Sequence, residues 1–92
     1  MAKYRKKPVV VEAVKVSDVM QNARWDWKGL PQWVKDEYEK GNVVFGATAI
    51  YIKTLNGDVI AKKDDIIIRD ASGEIYTCKP DIFEKTYEKV ED

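Results

Sequence analysis

The sequence predicts an α+β protein, a single domain over residues 1–92 with a mostly antiparallel sheet of about five or six strands and two helices packed on it. Short β-branched segments recur along the chain with turn residues between them. Asn56-Gly57 is a strong hairpin signal, because both residue types tolerate positive φ. Two segments, opening at Pro31 and Pro80, carry apolar residues at helical spacing. A chain of 92 residues closes around one core and is too short for two.

Val9 to Val16 forms the first expected strand, with Pro8 at its start, where no amide hydrogen is needed. Its apolar residues fall on both parities, which predicts an internal strand covered on both faces. Ser17 or Asp18 then caps a short helical turn through Asn22, and Ala23 to Gly29 reads as a loop. Pro31 opens a helix that Gly41 ends, with Leu30, Trp33, Val34 and Tyr38 on its apolar face and Asp36, Glu37, Glu39 and Lys40 on its wet one.

Val43-Val44-Phe45 is a short strand leading through Gly46 to the alternating segment Ala49 to Leu55. If Asn56-Gly57 forms a type I′ turn, Leu55 faces Asp58, Ile52 faces Ala61 and Thr54 faces Val59, with this face and Ile50 in the core. Lys62-Lys63-Asp64-Asp65 breaks the pattern before the buried strand Ile66-Ile67-Ile68. Asp70-Ala71-Ser72-Gly73 turns the chain into a strand from Glu74 to Cys78. Pro80 opens the terminal helix, whose stripe is Ile82, Phe83, Thr86, Tyr87 and Val90.

Sixteen Lys and Arg balance sixteen Asp and Glu, which excludes a generally basic nucleic-acid binder or a polyanionic mimic. Hydrophobic residues at 45% and aromatic residues at 11% describe a globular chain. Without histidine there is no Ser-His-Asp triad and no His-containing zinc site. A lone cysteine, Cys78, forms no intramolecular disulfide and fits a cytoplasmic setting. Apolar runs are too short for a membrane span, and the N-terminus reads as mature protein, because Glu12 and Lys15 interrupt the apolar run after Pro8. No cofactor or metal is expected.

The segment Gly73-Glu74-Ile75-Tyr76-Thr77-Cys78-Lys79-Pro80-Asp81-Ile82-Phe83-Glu84-Lys85-Thr86-Tyr87-Glu88 resembles a family of small phage and prophage proteins of unknown function, with the signature G-E-x-Y-x-C-K-P-D-I-F-E-x-T-Y-E. Tyr4-Arg5-Lys6-Lys7-Pro8-Val9-Val10-Val11-Glu12-Ala13 is similar to that family's opening K-P-V-x-V-E-A, and Thr54-Leu55 with Gly57 to its central turn. Where the family has a Gly-Asp turn before the apolar strand, this chain has Lys63-Asp64-Asp65. The resemblance implies a phage protein acting in the host cytoplasm, and no particular chemistry.

Trp25, Trp27 and Trp33, flanked by Arg24 and Lys28, form the densest aromatic region and are the candidate ligand- or partner-binding residues, with Tyr4 and Tyr38 as potential neighbours. The plainer alternative is that these rings close a small core. Lys3, Arg5, Lys6 and Lys7 make a basic arm, with Lys62-Lys63 as a second pair; such charges contact phosphates or simply solubilise a terminus facing the acidic C-terminal residues. Cys78 beside Lys79 and a helix start has the setting of a stabilised thiolate, yet lacks a general base, so a small apolar role is the simpler account. Glu12 with Asp58, Asp65 or Asp70 would serve acid–base or metal chemistry if they converged; an ion pair at the sheet surface is the plainer expectation for Glu12. No catalytic constellation is visible, so the chain reads as a non-enzymatic binding module for a host or phage protein, or for its own copy. The alternatives are a binder of a small nucleotide-like ligand and, more weakly, of single-stranded nucleic acid.

Overall fold

Six strands and three helices follow one another in the computed structural model, which describes residues 2–4 and 9–90. They are β1 (Glu12–Lys15), α1 (Val16–Trp25), a 3-10 turn (Trp27–Gly29), α2 (Gln32–Glu39), β2 (Val43–Phe45), β3 (Ala49–Thr54), β4 (Gly57–Lys62), β5 (Ile66–Arg69), β6 (Ile75–Cys78) and α3 (Pro80–Thr86). The class is α+β, as the sequence predicts. Instead of one sheet there are two antiparallel three-stranded sheets, ordered β1-β5-β6 and β2-β3-β4.

Asp65 makes the corner between them. Its carboxylate accepts the Lys62 backbone N–H at 2.9 Å, occupying a donor at the end of β4. Its backbone oxygen accepts the N–H of Val16 at 3.0 Å, and the oxygen of Lys63 accepts that of Ser17 at 3.1 Å. The same corner therefore closes one sheet, starts the other and opens α1. Lys79 completes it with an Nζ–Oδ1 ion pair of 2.7 Å. Burial pushes the Asp65 carboxyl up, but the Lys79 hydrogen bond, the Lys62 N–H and the charges of both lysines outweigh it and hold the group below its usual value of 3.8.

The first strand is shorter and less covered than its sequence suggests. It pairs only with β5, from Glu12 opposite Arg69 to Lys15 opposite Ile66, so it is an edge strand. Beyond Arg69 the partner turns away at Asp70, and Val9 and Val10 lie exposed. At the other end Val16 is the first residue of α1 and fully buried. That assignment explains why α1 is longer than expected. Counted from Val16, the residues Val16, Val19, Met20 and Ala23 recur at helical spacing, and the helix runs on to Trp25 through residues expected as loop. Asp18 in its first turn and Arg24 in its last complement the helix dipole.

Pro31 directly precedes α2, which ends where Gly41 adopts φ +82°. Leu30, Trp33 and Val34 are buried there, together with Val16 and Val19 of α1, Val43, Ile50, Ile52 and Ala61 of one sheet, and Ile67 and Ile75 of the other. One core thus joins both sheets and the first two helices. The hairpin register differs from a type I′ turn by two residues: Leu55 and Asn56 form the turn, Thr54 faces Gly57, and Ile52 faces Val59. Only Gly57 takes a positive φ, +112°. The Thr54 hydroxyl explains the difference, since it accepts the Asn56 N–H at 3.2 Å and donates to the Gly57 oxygen at 2.6 Å. A slip of two keeps the same side chains inward, so Ile50, Ile52 and Ala61 are still core.

The terminal helix departs most from expectation. It buries no residue, ends before Val90, and leaves Ile82 exposed. Phe83 and Tyr87 stack with ring centroids 5.1 Å apart, and the Tyr87 hydroxyl meets that of Tyr76 at 3.4 Å. That contact, with burial and the nearby acids Asp70 and Glu74, pushes the Tyr76 phenol up to about 12. Because α3 follows the edge strand β6 after Lys79 alone, it sits at the margin of its sheet, and covering the core falls to α1 and α2. Among the described residues no helix is long and apolar enough to cross a membrane.

Candidate functional site

Three aromatic rings from three elements converge beside the end of α1. Asp26, with φ −152°, stops that helix while its N–H still bonds to the Asn22 oxygen at 2.9 Å. The 3-10 turn that follows is closed by the N–H of Gly29 to the Asp26 oxygen and of Leu30 to the Trp27 oxygen. This sharp reversal presents the Trp27 indole edge-on to Tyr38 of α2 at 5.2 Å and to Phe45 of β2 at 5.9 Å. Tyr38 and Phe45 stack at 5.3 Å with 25° between their planes. Trp27 and Tyr38 nevertheless stay 40% and 44% exposed.

This cluster walls a surface groove of about 830 Å³. Trp25 stands at its side, 78% exposed, and Arg24 and Lys63 line it. Its far wall is the β2–β3 turn from Gly46 to Thr48. Gly46 is required there by space rather than by φ: a Cβ would lie 2.7 Å from Cε2 of Tyr51 and 2.9 Å from the Ala49 oxygen. We expect Gly46→Ala to destabilise the protein by about 1–3 kcal/mol through overpacking. Urea unfolding of the variant checks this, and unchanged stability would show that the turn has room to move.

The structure thus brings Arg24, Trp25 and Trp27 together but not the other two residues of the expected site. Trp33, expected as a binding residue, is instead a core residue at 9% exposure, packed in the cluster with Leu30, Val34 and Ile50. Lys28 is exposed but does not line the groove. Tyr38 does line it, whereas Tyr4, 94% exposed, does not. Phe45, Met20 and the Gly46–Thr48 turn were not legible as site residues, because their convergence depends on the long-range pairing of β2 with β3 and on the true extent of α1. Of the basic arm only Lys3 falls among the described residues, and it is exposed; Arg5, Lys6 and Lys7 lie outside them, as do Pro8 and the acidic Glu91 and Asp92.

The remaining candidates occupy separate places. Glu12 faces Arg69 across β1 and β5 at 3.8 Å, the surface ion pair expected of it. Asp65 is committed to Lys79 and Lys62. Asp70 accepts from the Ser72 hydroxyl at 2.5 Å and from the backbone N–H groups of Ser72 and Glu74. The Ser72 hydroxyl is the main cause that holds Asp70 below its usual value; burial opposes it, and the backbone N–H groups add to the lowering. Asp58 is exposed on β4. Cys78 is half-buried at the end of β6, its thiol directed to the Lys79 oxygen at 3.4 Å.

A second apolar feature lies on the outer face of the β2-β3-β4 sheet, where Val44, Tyr51 and Ile60 stand opposite one another across all three strands and are each about half exposed. Tyr51 leans on Gly46, so this row adjoins the groove. Compared with family models, curated proteins and solved structures, the chain finds no match.

Proposed function

We propose that the protein is a non-enzymatic binding module that holds a partner protein in the groove between α1, α2 and the β2–β3 turn. One observation carries the proposal: the exposed Trp25 indole beside the Trp27, Tyr38 and Phe45 cluster, at an open groove of about 830 Å³. Leaving large rings in water wastes the burial energy they would give elsewhere, and aromatic side chains are the residues that dominate protein–protein contacts. Among the described residues the groove lining holds no carboxylate, histidine or cysteine to act as base or nucleophile. Action inside a host cell, as a phage product, belongs to the same proposal and is supported by the resemblance of the Gly73 to Glu88 segment.

Peptide display on the immobilised protein, with Trp25→Ala as counter-target, tests this. The expected result is a family of sequences retained by the wild type and lost by the variant. Binders that ignore Trp25 would contradict a groove-centred function. A small nucleotide-like ligand is the second reading, favoured by the joint presence of aromatic rings, Arg24 and Lys63 in a groove of ligand-compatible size.

A further inference from the structure

We infer that the partner in the groove is an acidic protein segment, with carboxylates flanking an aromatic or aliphatic anchor; this rests on the binding function proposed above. The groove's charge is one-sided. Among the described residues Arg24 and Lys63 line it and no Asp or Glu does, although the whole chain has sixteen of each sign. The ion pairs among the described residues are Lys40–Glu37, Arg69–Glu12 and Lys79–Asp65, and neither groove cation takes part in them.

The two cations come from different elements, Arg24 from the last turn of α1 and Lys63 from the turn after β4. The rings lie in the same groove. A segment crossing it meets positive charge from both elements and apolar surface in the same groove. Docking excludes water from the charges, which strengthens their hydrogen bonds to carboxylates and rejects basic competitors. The neutral side chains of Ser17, Gln21 and Thr48 supply further polar contacts without opposing an acidic partner.

Exposure favours a protein segment over a small anion. Ligand sites bury most of a small molecule's surface, whereas here Arg24 and Lys63 are both exposed and the outermost ring, Trp25, is 78% exposed. A small anion placed against them stays largely in water. A chain long enough to cover both cations and the rings at once gains from all of them together.

The test uses peptides enriched by display, synthesised and titrated by fluorescence anisotropy against the wild-type protein and the double variants Arg24→Glu/Lys63→Glu and Arg24→Gln/Lys63→Gln. All four substitutions sit at exposed positions, and thermal unfolding of each variant confirms that it is folded. The expected result is enrichment of Asp and Glu beside an apolar residue, with affinity falling about ten-fold on charge reversal, by a smaller factor in the glutamine variant, and further with added salt. Binders that need Trp25 but carry no acidic residues and ignore charge reversal would overturn this inference and leave the binding function standing. Binders independent of Trp25 would overturn both. Tight, Arg24-dependent binding of a nucleoside triphosphate, without any peptide binding, would overturn the acidic segment in favour of a small ligand.

Discussion

Trp33→Ala is expected to remove about 3–5 kcal/mol of stability, the range for emptying an aromatic site in a core. Small domains hold about 5–15 kcal/mol in total, so the variant should be partly unfolded at room temperature or nearly so. Trp33 is 9% exposed and belongs to the core cluster with Leu30, Val34 and Ile50, so its removal leaves a large space in the core. Trp25→Ala, at a residue 78% exposed, should change stability by no more than about 0.5 kcal/mol. Urea unfolding followed by circular dichroism separates the two. Comparable losses in both variants would mean that Trp25 is part of the core and that the groove lacks an exposed wall.

Asp65→Ala should cost about 2 kcal/mol at neutral pH, because it leaves the Lys62 N–H without its acceptor and removes the charged bond to Lys79. The cost is held to that size because the Lys79 side chain is 61% exposed and stays hydrated without its partner. The variant should also respond differently to acid. Asp65 sits below 3.8 when folded, so its contribution is complete above that value and disappears as pH falls through the lower folded one. Wild type should therefore lose stability more steeply than Asp65→Ala between about pH 5 and 2. Asp65→Asn, which keeps the shape and one acceptor oxygen, should cost less and show the same flattened acid limb. Lys79 has the opposite sign: its raised value means that its contribution is complete below 10.5 and is lost as pH rises through the folded value. Thermal unfolding across this range checks the pair, and parallel acid limbs would show that the Asp65 corner does not couple folding to protonation.

Much of this architecture was legible from local patterns. The helix between Pro31 and Gly41, the buried Ile66-Ile67-Ile68 strand and the Asp70 turn all depend on residues near one another in sequence, where spacing and turn chemistry decide. The departures have two causes, a distant partner and a local helical face. Val9 to Val11 have strand-forming side chains, but β5 turns at Asp70 and offers them nothing to pair with. Val16 looked like the end of a strand because its helical neighbours Val19, Met20 and Ala23 are read correctly only once it is counted with them. Aromatic and basic density in the sequence points to Arg24, Trp25 and Trp27, which line one groove. That same density drew in Trp33, whose place in the core follows from the face of α2 it occupies.

The central claim is that the groove, and not the neighbouring sheet face, receives the partner. A nitrogen-15 correlation spectrum of the protein titrated with a display-selected peptide tests it most directly. The predicted result is a set of shifts concentrated at Arg24, the Trp25 and Trp27 indoles, Tyr38, Phe45 and the Gly46–Thr48 turn. Shifts concentrated instead at Val44, Tyr51 and Ile60 would contradict the account and move the binding surface to the outer face of the β2-β3-β4 sheet.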